Sequence, residues 1–196
     1  MFRVSTLFRF VNRTAFVGLV LVALVGRPAP AMAQDVMSKE AAAAVKASFL
    51  ADMETMRGKF VGLAQVFPAE KYTWRPMDGV RSVSEVLMLL AFEGYRFVPG
   101  SFGGKPADLG TAEAMNKLRT LSDKAAVMDH LNKGFAYAKA SLESVDPATL
   151  TAKRKVMGNE MSVADVALVV GGDMHEHLGQ LIAYARMNQI VPPWSK

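Results

Sequence analysis

Apolar residues recur every three or four positions along most of the chain from Ser38 onward, and no stretch alternates with a period of two. The pattern therefore predicts helices. The first spans Ser38 to Phe67, with Ser38 as N-cap and Pro68 beyond its end; Val45, Phe49, Met53, Met56, Phe60, Leu63 and Val66 form its inner face. A second begins at Ser82, where Ser82-Val83-Ser84-Glu85 has the form of a capping box. In that motif the serine hydroxyl accepts from the backbone three residues on, and the glutamate reaches back. This helix is expected to end at about Val98, because Pro99-Gly100 and Gly103-Gly104 read as a flexible loop. A short helix over Thr111 to Leu118 precedes a third long one from Ser122 to Ser144. Asp146-Pro147 starts a single turn, with proline at the first helical position. A fourth long helix runs from Ser162 to Asn188 and is stopped by Pro192-Pro193. Four long helices in one modest chain predict an all-α four-helix bundle.

The first 33 residues follow another pattern. Arg3, Arg9 and Arg13 precede an uncharged apolar run from Ala15 to Gly26, and Ala31-Met32-Ala33 supplies a small-x-small cleavage pattern. The run is too short to span a bilayer and suits the apolar part of an export signal. Residues 1–33 are thus expected to be a signal peptide and 34–196 a single domain, periplasmic or secreted, with no stable membrane span once the signal is cleaved. An uncleaved anchor is the other reading. The segment holds four arginines and no acid, so the chain's net charge of +5 falls to +1 without it. The remainder has no basic patch of the kind that binds nucleic acid. The absence of cysteine excludes disulfides and thiolate chemistry by the chain itself. Thirteen methionines lie at helical core spacing and read as core filling.

Chemistry-bearing side chains concentrate in Asp173-Met174-His175-Glu176-His177. At about 100° per residue, the core face of the last helix centres on Met174, with Val163, Ala167, Val170, Leu178, Leu181 and Ala185 within about 40° of it. His177 lies about 60° to one side and Asp173 about 100° to that same side. His175 is on the opposite border, and Glu176 points nearly to solvent. The cluster therefore reduces to one i, i+4 pair, Asp173 and His177. Such a pair can be a hydrogen-bonded couple at the core edge, or half of a metal's coordination sphere completed by a facing helix. Gly171 and Gly172, beside it, permit either close packing or an open pocket.

Tyr72-x-Trp74-Arg75-Pro76-x-x-Gly79-Val80-Arg81-Ser82-Val83-x-Glu85-Val86-Leu87, His175-Glu176-His177-Leu178-Gly179-Gln180-Leu181-Ile182-Ala183-Tyr184-Ala185-Arg186-Met187-Asn188, and the ending Val191-Pro192-Pro193-Trp194-Ser195 together resemble the DinB-like superfamily. The resemblance implies a bundle of up-down-down-up type with long connections, often a homodimer. In many members it implies a divalent metal, commonly nickel or zinc, held by three histidines. One histidine comes from the second long helix and two from a His-x-x-x-His on the last. Relatives of known chemistry are thiol-dependent transferases and isomerases. Matched residue by residue, the helix-two histidine falls at Leu89, the first histidine of the pair at Asp173, and only His177 corresponds outright. Glu93, one turn from Leu89, is the substitute that could complete a carboxylate–imidazole site with Asp173 and His177. The plainer role for Glu93 is an ion pair with Arg96, and for Glu85 the capping box alone. The other histidine, His130, is expected at a surface or edge.

Trp74 is expected to plug the bundle end and Arg75 to cap a helix C-terminus, the alternative being a ligand pocket with Arg75 on an acid group. Trp194 is expected to fold the tail onto the bundle. Two functions remain open. One is an exported DinB-like protein without the three-histidine site and with no resident cofactor, binding a small molecule or a protein partner. The other is a divalent-metal-dependent hydrolase or thiol-dependent transferase built on Asp173, His177 and a substitute ligand, with nickel or zinc as the metal.

Overall fold

The computed structural model describes residues 37–195, so the expected export segment lies outside the described residues. Helix α1 spans Lys39–Val66, with the Ser38 hydroxyl accepting from the Ala41 N–H at 3.1 Å. Helix α2 spans Val83–Phe92 behind a complete Ser82/Glu85 capping box, with Ser82 N–H donating to Glu85 Oε2 at 2.7 Å. It continues without a break through a π-helical segment, Glu93–Phe97, into α3, Val98–Ser101. Helix α4 covers Ala112–Arg119 under a Thr111 cap, and α5 covers Lys124–Ser144 under Asp123 rather than Ser122. Asp146 caps a single 3-10 turn at Pro147–Leu150. Helix α6 spans Val163–Met187 behind a second capping box, Ser162/Asp165.

Contacts between side chains and main chain fix the direction of each helix. Lys46, near the start of α1, donates to the carbonyls of Leu142 and Val145 at the end of α5, and Lys124, at the start of α5, donates to Gln65 and Phe67 at the end of α1. These two helices are therefore antiparallel. Asp52 meets His175, and Gly62 meets Pro193, so α1 and α6 run parallel. Tyr184, late in α6, bonds to Arg81, just before α2, which makes α2 and α6 antiparallel. The bundle is up-down-down-up, and residues 102–123 form the long crossover that two parallel neighbours require. Its core includes Phe49, Met53, Phe60, Leu87, Leu131 and Leu181. Of the expected inner positions of α1, Val66 is wrongly assigned: it sits in the last turn and is exposed.

Three other expectations are corrected. Helix two does not stop before Pro99. A proline in a regular α-helix clashes with the carbonyl four residues back. Here the wider π turn, in which the Val98 N–H reaches back to the Glu93 carbonyl, frees the Tyr95 carbonyl to accept from the Ala107 N–H at 2.8 Å. Nor is the following stretch a loose loop: Phe102 is fully buried against Phe49, and the Gly104 N–H donates to the Pro99 carbonyl. Finally, a two-stranded antiparallel hairpin, β1 Arg154–Val156 and β2 Asn159–Met161, occurs where no strand is expected. Its turn residues, Met157 and Gly158, both have positive φ, the conformation that matches strand twist in a two-residue turn.

Helix α6 ends before the double proline. Gln189 adopts a left-handed conformation, the Ile190 N–H reaches the Ala185 carbonyl, and the Gln189 N–H reaches Arg186. This is a Schellman stop with glutamine in the position glycine usually takes. Among the described residues no helix is long and apolar enough to cross a membrane.

Candidate metal centre

Helices α2 and α6 cross with close backbone support behind them. A Cβ at Gly94 would lie 2.6 Å from the Gly134 carbonyl group, and one at Gly134 would lie 2.5 Å from the Ala91 oxygen. The glycine pair lets α5 press on the back of the π segment. Glu93 opens that segment, on the side that faces α6.

There it meets the i, i+4 pair. Ligand-capable atoms of Glu93, Asp173 and His177 all lie within 4.8 Å of one another, and His177 Nε2 is 3.7 Å from Asp173 Oδ1. His177 is buried and the two carboxylates are half-buried. The structure thus brings together the three residues that the sequence singles out. Burial, then the neighbouring charge of Asp173 and a hydrogen bond with it, push the Glu93 carboxyl up to about 8, and the charge of Arg81 opposes this only weakly. At neutral pH Glu93 therefore carries a proton shared with Asp173.

The imidazole of His177 is oriented by a chain of hydrogen bonds that ends on a group with only one role. The Arg81 carbonyl can only accept, so the Tyr184 hydroxyl donates to it at 2.9 Å. Tyr184 must then accept from Gln180 Nε2 at 2.8 Å. That turns Gln180 Oε1 toward His177 Nδ1, 3.1 Å away, and puts the ring proton of neutral His177 on Nδ1. The Nε2 lone pair is left facing Asp173 and Glu93. Gln180 and Tyr184 join the candidate site through these bonds, though the sequence alone assigns them no part in it. They stand three and seven residues after His177, on the same stripe of α6, and that spacing is the signal that marks them.

The remaining candidates separate from the centre. His175 is exposed on the far side of α6 and meets Asp52 of α1 at 3.0 Å. Glu93 makes no pair with Arg96, whose Nη1 donates instead to the Ala107 carbonyl at 2.9 Å. Glu85 stays with its capping box and an ion pair to Arg75 at 3.2 Å. Arg75 also donates to the Val80 carbonyl, so it braces the loop and caps no helix C-terminus. Trp74 packs edge-on against Tyr184, His130 lies half-buried beside the Tyr95 hydroxyl, and Trp194 lies against Gly62. Gly171 makes only ordinary contacts and Gly172 faces open space, so neither is needed for close packing.

Leu89 stands one turn before Glu93, half-buried on α2. It lines a cleft of about 630 Å3 together with Glu93, Asp173, Glu176, Phe92 and Arg119, with Met157 of the hairpin turn at its edge. Glu176, expected to point to solvent, is exposed at this mouth. One nitrogen and two carboxylate groups, with the nitrogen's lone pair directed inward, fit a divalent cation: its charge would offset the burial and the neighbouring Asp173 charge that together keep Glu93 protonated.

No curated protein is significantly similar to the chain. The model of the DinB superfamily matches residues 52–181, a span that includes Glu93, Asp173 and His177 and reaches into all four long helices. The chain belongs to the DinB superfamily.

Proposed function

We propose that this protein holds a divalent metal on Glu93, Asp173 and His177 and uses it in hydrolysis or in transfer to or from a thiol. The observation that carries the reading is the convergence of three donors from two helices, with the tautomer of His177 fixed by Gln180. A hydrogen-bonded edge pair would need only Asp173 and His177. The third group, a carboxyl brought into a half-buried site beside another carboxylate, is destabilising unless a proton or a cation satisfies it.

Bound there, the metal supplies a Lewis acid that lowers the pKa of a water or thiol. The chain's own residues do the rest. Asp173 and Glu93 set the charge of the site. Gln180 and Tyr184 hold the imidazole plane. Leu89 and Phe92 keep an apolar wall beside it, which strengthens every charge interaction in the cleft. Replacing two of the family's imidazoles by carboxylates makes the donor set harder, so manganese joins nickel and zinc as a candidate.

A second reading has its own support. The proton shared by Glu93 and Asp173 satisfies the pair without any metal near neutral pH. In that case the cleft is a binding pocket for a small molecule. Elemental analysis of the full chain, purified without an affinity tag, separates the two. Stoichiometric metal that disappears in His177→Ala is the expected result, and metal-free protein that takes up none of manganese, nickel or zinc at pH 8 overturns the metal reading.

A further inference from the structure

The cleft in front of the centre continues toward the start of α2. A second cavity of about 530 Å3, lined by Arg75, Arg81, Glu85 and Thr120, shares Leu89 and Arg119 with the first. Charge is distributed unevenly along this path. The carboxylates of Glu93, Asp173 and Glu176 sit at the α6 end, and that of Glu85 lies at the other, paired with Arg75. Three guanidinium groups border this path, Arg81 in the second cavity, Arg96 in the first and Arg119 in both; none is in an ion pair within 4 Å among the described residues, although the charge of Arg81 reaches Glu93. Arg75 differs, being already neutralised by Glu85.

Two of the three cations are held in place. The Arg119 guanidinium stacks on the Phe92 ring, 4.1 Å from its centroid, and makes no hydrogen bond to another described residue, so its fork of donors is free. Arg96 spends one N–H on the Ala107 carbonyl. A solvated surface arginine loses side-chain freedom when it binds; one stacked on an aromatic ring has already lost much of it. Beside these groups the wall is apolar, formed by Leu89, Phe92, Phe97 and Val169.

We infer that the cleft takes a small organic anion with an apolar body, its carboxylate or phosphate held by Arg81 and Arg119 and its body lying on Leu89 and Phe92. The orientation rests on the metal reading, since a cation on Glu93 and Asp173 removes the negative charge that would otherwise repel the ligand from that end. The head group then binds at the arginines, and the far part of the body presents its reacting atom to the centre.

The test is isothermal titration of the full chain, incubated with zinc, using 3-phenylpropionate, phenyl phosphate and uncharged 3-phenylpropan-1-ol. One or both anions are expected to bind roughly tenfold more tightly than the alcohol. The better of the two identifies the head group. Arg119→Gln is expected to weaken anion binding roughly tenfold and leave the alcohol unchanged, whereas Arg57→Gln, remote from the cleft, changes neither. Equal binding of alcohol and anions, or no effect of Arg119→Gln, overturns the inference. Zinc content measured on the same samples keeps the two proposals apart. Anion binding by protein that takes up none of zinc, nickel or manganese removes the metal reading and the orientation that rests on it but leaves the arginine site, and stoichiometric zinc without anion binding removes this inference alone.

Discussion

Gln180 Oε1 lies 3.1 Å from His177 Nδ1, and its amide nitrogen lies 2.8 Å from the Tyr184 hydroxyl, so one side chain decides which imidazole nitrogen faces the carboxylates. Outer partners of this kind set both the tautomer and the basicity of a ligating histidine. Gln180→Leu keeps the helix but removes both bonds. It is expected to weaken zinc binding by roughly 10- to 100-fold. Competition with a chromophoric chelator measures this, and circular dichroism checks that helix content is kept. Unchanged affinity would show that His177 needs no such support.

Glu93 gives the metal-free protein a pH dependence of definite sign. Its carboxyl is raised from 4.5 to about 8 in the folded state, mainly by burial. Between those values the folded chain binds more protons at this site than the unfolded chain, so stability falls as pH rises. The favourable contribution is complete below about 4.5 and gone above about 8. Glu93→Gln removes this slope. It is expected to be more stable than the parent by about 2 kcal/mol at pH 9 and nearly equal at pH 4.5. Urea unfolding at the two pH values, in the presence of a chelator, measures the difference. A parent protein equally stable at both would contradict the shared proton. With zinc present the trend reverses, because the cation displaces that proton and binds better as pH rises.

Much of this was legible because the determinants are local. Ser38, Thr111 and Ser162 mark helix starts by hydrogen bonds within three residues, and the stripe of Phe49, Met53 and Phe60 needs only a period of 3.6. Asp173 and His177 were visible for the same reason. The π segment was not. Pro99 reads locally as a helix stop, and only Ala107, from the distant end of a loop, accepts the role of satisfying the Tyr95 carbonyl. The hairpin escaped because strands of three residues cannot establish a period of two, and its turn is Met157-Gly158 rather than Asn-Gly. The role of Gln180 escaped because it is fixed by the Arg81 carbonyl, which belongs to another element.

The glycines divide into those that packing requires and those it does not. Gly94→Ala would drive a methyl into the Gly134 backbone, and Gly134→Ala would drive one into Ala91. Neither backbone can yield as a flexible side chain would. Each change is expected to cost about 3 kcal/mol and to displace Glu93, lowering metal affinity as well. At Gly172, which sits inside a helix, an added methyl would meet nothing within 4 Å, so Gly172→Ala is expected to stabilise by about 0.5–1 kcal/mol. Chemical denaturation of the three variants tests the ordering, and a destabilised Gly172→Ala would show that its open space is used.

Leu89 offers the last and most direct test of how this site relates to its family. It stands one turn before Glu93 on α2 and lines the same cleft as Asp173, in the position where the resemblance implies a histidine. Leu89→His would add a nitrogen donor to a centre that has one nitrogen and two carboxylates. Imidazole favours nickel and zinc over manganese, so affinity for the first two is expected to rise about tenfold or more while that for manganese changes little. The cost is the loss of one half-buried apolar side chain, about 1 kcal/mol, which zinc binding offsets through linkage. Chelator competition with each metal, on the parent and on Leu89→His, gives the selectivity directly. An increase for all three metals alike would point to a change in cleft shape, and no increase for any would place the leucine outside the coordination sphere that Glu93 and His177 define.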